Sequence, residues 1–405
     1  MGCDGGSRMP DRLQKRIAVV AARIVRRCSV VAVVVMLFAS PPAEAATRSV
    51  VVGDSVALGN SVDSGTSVVE GSRTWFTHFL LHSGGHATFL WNAARGGTTS
   101  TQWLTWYQSE VLDRHPDLVV IQAPTTDPNR GVTLSQTEAN IQSMVSQAEN
   151  GGAQVAIANV LPRPTGHAYI SAINGWLVTY CQNNAIALVD SYSQVVDPAN
   201  GNLLAKYDNG DGIHPNADGA AVIGANAATT LAPILDPTAA YLTTAMPDPT
   251  SLAKDGLFTA DRNMDGKPDN WSLPAITNTS YSLVTEAGTA GSMLNVSRSG
   301  SSSDPTAVVD QLVTGWAVGD TLALAARINI SGFIPKYALR LVYRTTGGGV
   351  YQYAAVGAGQ GPITPTGVAY ISGVVPPGTT RVDLQLLVPG GMGSIRLGQV
   401  TVTKL

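Results

Sequence analysis

The chain has 405 residues, enough for two domains with cores of their own. Hydrophobic residues make up 44% and charged residues 13%, a balance that excludes disorder. With a formal net charge of −3 and no basic patch interleaved with aromatics beyond the N-terminal segment, nucleic acid is excluded as a partner.

The N-terminal segment reads as a targeting sequence rather than structure. Arg23, Arg26 and Arg27 form a basic region, and residues 30–38 are the apolar core of a stretch too short to span a membrane. Ala43-Glu44-Ala45 is a small-x-small cleavage site, so residues 1–46 are expected to be leader and signal peptide. The mature protein is expected to be secreted or periplasmic, with no membrane attachment after cleavage. Cys3 and Cys28 fall in the leader, which leaves Cys181 without an intramolecular partner. Cys181 lies among Trp176, Leu177 and Tyr180 and reads as a buried, inert thiol.

Apolar runs at 49–53, 87–92, 117–122, 154–159 and 186–190 read as strands, and segments at 73–82, 99–112, 135–150, 168–183 and 215–231 as helices. Alternation of this kind predicts a parallel sheet covered on both faces. His78 and His82 are spaced i,i+4, but the Glu that follows the first His of a zinc-binding helix is absent, which favours a surface or core pair. Trp103, Trp106 and Tyr107 read as helix core, with stacking on a sugar as the alternative.

Val50-Val51-Val52 runs straight into Gly53-Asp54-Ser55. A buried parallel strand with a tight turn at its C-terminal end reads this way, and ligands in open α/β sheets bind just outside such ends. A serine there stands at a helix N-terminus, available as a nucleophile. By itself the triplet reads as a turn. Its partner lies far downstream, in Asp211-Gly212-Ile213-His214-Pro215. A serine nucleophile needs a base within hydrogen-bond reach, and the base needs an orienting carboxylate. Asp and His three residues apart in one loop can meet side by side, leaving the other ring nitrogen to Ser55. Alone, this motif is also a helix N-cap followed by Pro; the two features together favour catalysis. Ala57, two residues after Ser55, excludes the G-x-S-x-G elbow.

On these residues the chain resembles the GDSL/SGNH hydrolase superfamily, over roughly residues 48–235. The resemblance implies a flavodoxin-like three-layer α/β/α sandwich with a parallel sheet, and a triad of Ser55 as nucleophile, His214 as base and Asp211 as its orienter. It assigns the oxyanion hole to Ser55, to Gly97 within the block 92–99, and to the residue after the third strand. There the superfamily has Gly-x-Asn-Asp, whereas this chain has Pro124-Thr125-Thr126-Asp127. Thr126 therefore stands as a shorter donor with one proton in place of an amide. Asp54, Asp127 and Arg163, the last between Pro162 and Pro164, are expected to contact substrate. No cofactor is expected for catalysis.

From 236 to 250 the pattern breaks, and Pro237, Pro247 and Pro249 read as a linker. Beyond it, at 251–405, short runs rich in Val, Leu, Tyr and Thr recur at 281–285, 307–312, 321–328, 338–344, 350–355, 367–373, 381–387 and 394–402. They predict an all-β jelly-roll sandwich domain, whose layout resembles a carbohydrate-binding module on pattern alone. At its start, Asp261, Asn263, Asp265 and Asp269 alternate around Gly266. Oxygen ligands so spaced suit a structural calcium ion, while an Asx-rich turn before Trp271 is the equal alternative.

The sequence thus predicts a secreted serine esterase that hydrolyses short-chain, acetyl esters on a polysaccharide or a small ester, with a catalytic domain at 47–235 that folds by itself. Two alternatives stand: a polysaccharide O-acyltransferase of the same superfamily, and a non-catalytic extracellular glycan-binding protein, which the departure at 124–126 favours.

Overall fold

The centre of the first sheet is set by three consecutive valines. Val50, Val51 and Val52 in β1 (Thr47–Val52) are fully buried, which needs a strand covered on both faces and flanked on both edges. The computed structural model describes residues 46–405 except 64–66, 70, 238, 348 and 360–365, so the expected leader lies outside the described residues, Ala46 apart. After β1 come the short helix α1 (Ser55–Leu58), a hairpin of β2 (Val62–Asp63) and β3 (Ser67–Val69), and α2 (Trp75–His82). The alternation continues with β4 (Ala87–Asn92), α3 (Ser100–Glu110), β5 (Leu118–Gln122), α4 (Leu134–Asn150), β6 (Gln154–Ala158), α5 (His167–Asn184), β7 (Ala187–Val189), α6 (Ser191–Val195) and α7 (Ala217–Leu231). The strands form one parallel sheet in the order β4-β1-β5-β6-β7. The order reverses between β1 and β5, the switch point beside which doubly wound sheets bind ligands.

Helices cover both faces. Trp75, Phe76 and Phe79 of α2 pack with Ile223 and Leu231 of α7 on one side. Trp103 and Tyr107 of α3, Ile141 and Met144 of α4, and Ile173 and Leu177 of α5 fill the other. Each expected strand and helix of this region is present to within a residue or two, and the differences lie at the caps. The helix expected from 215 starts at Ala217, because the side chain of Asn216 caps it by accepting from Gly219 N at 2.9 Å. Trp103 and Tyr107 are core, and Cys181 is buried, its thiol pushed up to about 12 by burial. His78 is buried and His82 half-buried: burial pushes the His78 imidazole down to about 4 against the opposing pull of the Ser72 carbonyl.

The C-terminal region is all β: β8 (Thr279–Val284), β9 (Met293–Ser299), β10 (Ala307–Val313), β11 (Thr321–Thr345), β12 (Val350–Gly359), β13 (Thr366–Val374), β14 (Thr379–Val388) and β15 (Met392–Lys404). All pairings among these eight are antiparallel. The two runs expected at 321–328 and 338–344 are one strand of 25 residues, β11. Its first half pairs with β13 and β15 and its second half with β12 and β14, so a single strand belongs to both sheets. Leu322, Leu324, Ile328, Leu339, Leu341 and Tyr343 project from its two halves into one core. Strand β9 was not expected, because Asn295, Ser297 and Arg298 interrupt its apolar residues.

Packing crosses the expected boundaries at 235 and 250. Leu81 of α2 lies in the core of the β region and Phe89 of β4 packs against it, while β3 pairs in parallel with β12. The segment expected as a linker is held on both sides. Ala240 N donates to Gly85 O at 2.8 Å, and buried Thr243 donates from N to Thr401 Oγ1 at 2.8 Å and accepts from Gln399 Nε2 at 3.0 Å. Truncation after Asp236 is therefore expected to expose Leu81 and Phe89 and cost about 3–6 kcal/mol, read as a lower urea midpoint than the full chain; equal midpoints would show independent folding. A second expectation follows from His78. The folded protein keeps it neutral while the unfolded chain protonates it below about pH 6.5, so its contribution is fully present above that pH. That contribution is lost as the pH falls towards 4, by about 3 kcal/mol. Melting temperatures from pH 7 to 4 should fall less steeply in His78→Gln than in the wild type.

Candidate active site

Ser55 is the first residue of α1, directly beyond the end of β1. As the first helical residue its N–H has no partner within the helix. Asp54 caps the helix, Oδ1 accepting from Val56 N at 3.0 Å. His214 stands just ahead of α7 in the loop 208–216. Its Nε2 meets Ser55 Oγ at 2.7 Å, and its Nδ1 meets Asp211 Oδ2 at 2.7 Å. The other carboxylate oxygen of Asp211 accepts from Ile213 N at 2.9 Å and His214 N at 2.8 Å. Desolvation pushes the Asp211 carboxyl upward, but the backbone N–H and ring of His214 and the N–H of Ile213 outweigh it and bring it to about 2. Asp211 therefore stays ionised beside the imidazole, and its 46% exposed side chain limits the opposing desolvation. Chemically, this chain of bonds lets the imidazole take the hydroxyl proton while the carboxylate holds the ring.

The glycine block lies alongside. Thr99 and Gln102 form a capping box that starts α3, and the turn before it places Gly96 so that a Cβ there would sit 3.8 Å from Ser55 Cβ. Gly97 adopts φ +72°, a left-handed conformation that suits glycine, and its N–H makes no bond to any described residue. Asn92 ties this block to the turn that carries Ser55, donating from Nδ2 to Ala57 O at 3.2 Å and accepting from Ala94 N at 3.0 Å.

Four expected contacts take other roles. Asp54 is fully buried and cannot touch substrate. Its Oδ2 accepts from Thr125 N at 2.7 Å, Thr125 Oγ1 at 2.5 Å, Thr126 N at 3.2 Å and Thr126 Oγ1 at 3.2 Å. Thr126 thus spends both its donors on Asp54 rather than on an oxyanion. Asp127 is also fully buried, accepting from Ser100 N at 2.8 Å, Ser100 Oγ at 2.5 Å and Thr137 Oγ1 at 2.7 Å. Burial pushes its carboxyl upward, against those bonds. Arg163 is buried and donates to Thr125 O at 2.6 Å and Thr165 O at 3.0 Å, backing the 124–127 loop from behind. All three charged groups are buried near the site and engaged by protein partners, Asp54 and Arg163 by the 124–127 loop and Asp127 by Ser100 and Thr137.

The loop expected to bind calcium closes on itself. Asp261 Oδ1 accepts from Asp265 N at 3.1 Å and its Oδ2 from Gly266 N at 3.0 Å, while Asp265 Oδ1 accepts from Lys267 N at 2.9 Å. These are the bonds of Asx turns, and among the described residues no group of three His, Cys, Asp or Glu side chains is placed to hold a metal ion.

A cavity of about 200 Å³ opens beside the serine, lined by Ser55, Val56, Gly59, Arg73, Asn209, His214 and Pro215. Arg73 and Asn209 were not expected there; no local motif marks them, since only the fold brings residue 73 and residue 209 to the same wall. The Asp54 bonds generate one expectation. In Asp54→Asn the amide nitrogen faces the donors of Thr125 and Thr126, so stability should fall by about 2–4 kcal/mol in urea unfolding. Any ester turnover should fall with it as the loop moves. Unchanged stability would refute the role of this carboxylate.

The model of the GDSL-like Lipase/Acylhydrolase family matches residues 51–222, the span that carries both Ser55 and His214. Esterase TesA of Pseudomonas aeruginosa is 30% identical over 145 residues, which is 36% of this chain and 70% of that protein. Among solved structures, that of TesA is 26% identical and matches 46% of this chain and 99% of its own with a TM-score of 0.38. A GDSL-like lipase from Bacteroides thetaiotaomicron is 25% identical, over 47% and 89%, with a TM-score of 0.38. Through its α/β region the chain belongs to the GDSL-like lipase/acylhydrolase family of ester hydrolases.

Proposed function

We propose that the protein is a serine esterase in which Ser55, His214 and Asp211 act as a triad on short-chain esters. The observation that carries this is the unbroken chain from Ser55 Oγ through the His214 ring to Asp211, 2.7 Å at each contact. Ser55 Oγ attacks the ester carbonyl while His214 Nε2 takes its proton. The backbone N–H groups of Ser55 and Gly97 receive the oxyanion, Thr126 being engaged with Asp54. His214 then protonates the leaving alkoxide, and water, deprotonated by the same nitrogen, releases the acid from the acyl-serine. The small cavity, below the range of pockets for drug-sized ligands, supports a short acyl group such as acetyl.

The proposal includes a wider setting. Residues 1–46 serve as a leader for export, and the β region from 251 onward holds a polysaccharide near the triad; this setting rests on the sequence pattern of these segments. The triad is tested with 4-nitrophenyl acetate and acetylated xylan. Ser55→Ala and His214→Ala should each lower kcat by at least about a thousandfold, and Asp211→Asn by less, with folding intact. A serine-directed phosphonate should add its mass to Ser55. Turnover in Ser55→Ala at half the wild-type rate would overturn the triad, and faster hydrolysis of long acyl chains would overturn the short-chain assignment.

A further inference from the structure

The triad leaves one charged wall of its own cavity unused. Arg73 stands in the segment that leads into α2, and that segment is fastened to the nucleophile turn. Arg73 N donates to Asn60 Oδ1 at 2.8 Å, Asn60 Nδ2 to Ser72 Oγ at 3.2 Å, and Thr74 Oγ1 to Ala57 O at 2.7 Å. Gly59 permits this contact: a Cβ on it would lie 2.6 Å from Thr74 N and 2.8 Å from Arg73 C. The backbone of Arg73 is therefore set relative to the helix that begins with Ser55.

Its half-buried guanidinium lines the cavity with Ser55, His214 and Asn209. Nη1 donates to Asn209 Oδ1 at 2.8 Å, a neutral partner. Among the described residues Nε and Nη2 make no bond, and no carboxylate forms an ion pair with Arg73. Nearby carboxylates are committed elsewhere: Asp208 accepts from the N–H groups of Gly210, Asp211 and Gly212, and Asp211 holds His214. Arg130, exposed and likewise without an ion pair among the described residues, brings Nη2 to 4.0 Å from where a Cβ on Gly97 would sit. A partly desolvated cation beside the reacting atom, with the open side of its fork unused, is complementary to a carboxylate.

We propose that Arg73 binds a carboxylate carried by the substrate, so that the preferred ester bears a negative charge close to the scissile bond. This rests on the esterase reading and names its substrate class. The carboxylate belongs either to the acyl group, as in a hemiester of a dicarboxylic acid, or to the alcohol, as in an acetylated uronate chain.

The test compares kcat/KM for matched charged and neutral esters in two arms. Mono(4-nitrophenyl) glutarate against 4-nitrophenyl pentanoate reads the acyl side; acetylated polygalacturonate against acetylated xylan reads the alcohol side. Wild type should prefer the charged member in one arm, and added salt should narrow that preference. Arg73→Gln should lower the charged-to-neutral ratio roughly tenfold to a hundredfold, with Arg73→Lys retaining part of it. Equal rates on charged and neutral esters in both arms, or a ratio that survives Arg73→Gln, would overturn the proposal. Hydrolysis of 4-nitrophenyl acetate by the wild type stands apart as the readout of the esterase reading. Where that hydrolysis fails, calorimetric titration with glutarate and with oligogalacturonate decides: binding lost in Arg73→Gln keeps the carboxylate site, and no binding by the wild type removes it.

Discussion

The buried carboxylate of Asp54 is the constraint on which the site depends. It sits where the sheet order reverses, accepts five hydrogen bonds, and joins the end of β1 to the loop after β5. One oxygen caps the helix that begins with Ser55; the other gathers Thr125 and Thr126. A charge without exposure survives only when its lone pairs are filled, so the donors of this loop cannot turn elsewhere without leaving it unpaired. Asp127 repeats the device one step outward, tying the same loop to the start of α3 through Ser100. Arg163 closes it from behind through the Thr125 carbonyl.

The imidazole and its carboxylate follow a different logic. Asp211 and His214 lie in one loop, and Asp211 is ordered by N–H groups two and three residues ahead. That local turn holds the ring against its carboxylate through contacts within three residues. Only the bond from His214 to Ser55 spans the fold, across 159 residues. The carboxylate stays ionised because the backbone N–H groups of His214 and Ile213 and the His214 ring outweigh its desolvation.

The β region is not a passenger on this scaffold. Leu81 and Phe89 contribute to its core, and the segment 236–250 bonds to both sides of the junction. Strand β11 carries the load within it: passing from one sheet to the other, it gives both the same central strand and places its apolar residues in a single core.

What the sequence by itself determined was local. Val50–Val52 specify a strand buried on both faces, Gly53-Asp54-Ser55 a turn into a helix, and Asp211 with His214 a carboxylate–imidazole pair, because each signal is complete within a few residues. The parallel sheet follows from alternation of such elements. The direction of a side chain relative to distant loops is different in kind. Asp54 and Arg163 look like substrate contacts in sequence and Thr126 like an oxyanion donor, and the structure engages all three with one another's loops, since their partners lie 38 to 72 residues away. The continuity of β11 was hidden by Gly332 and Pro335 in its middle, which read as a break until sheets on both sides supply partners. Arg73 carries no motif at all. Its place beside Ser55 is decided only when α2 docks and Asn60 takes its backbone N–H, for a charge acquires a role from the cavity it faces, and cavities exist only in the folded chain.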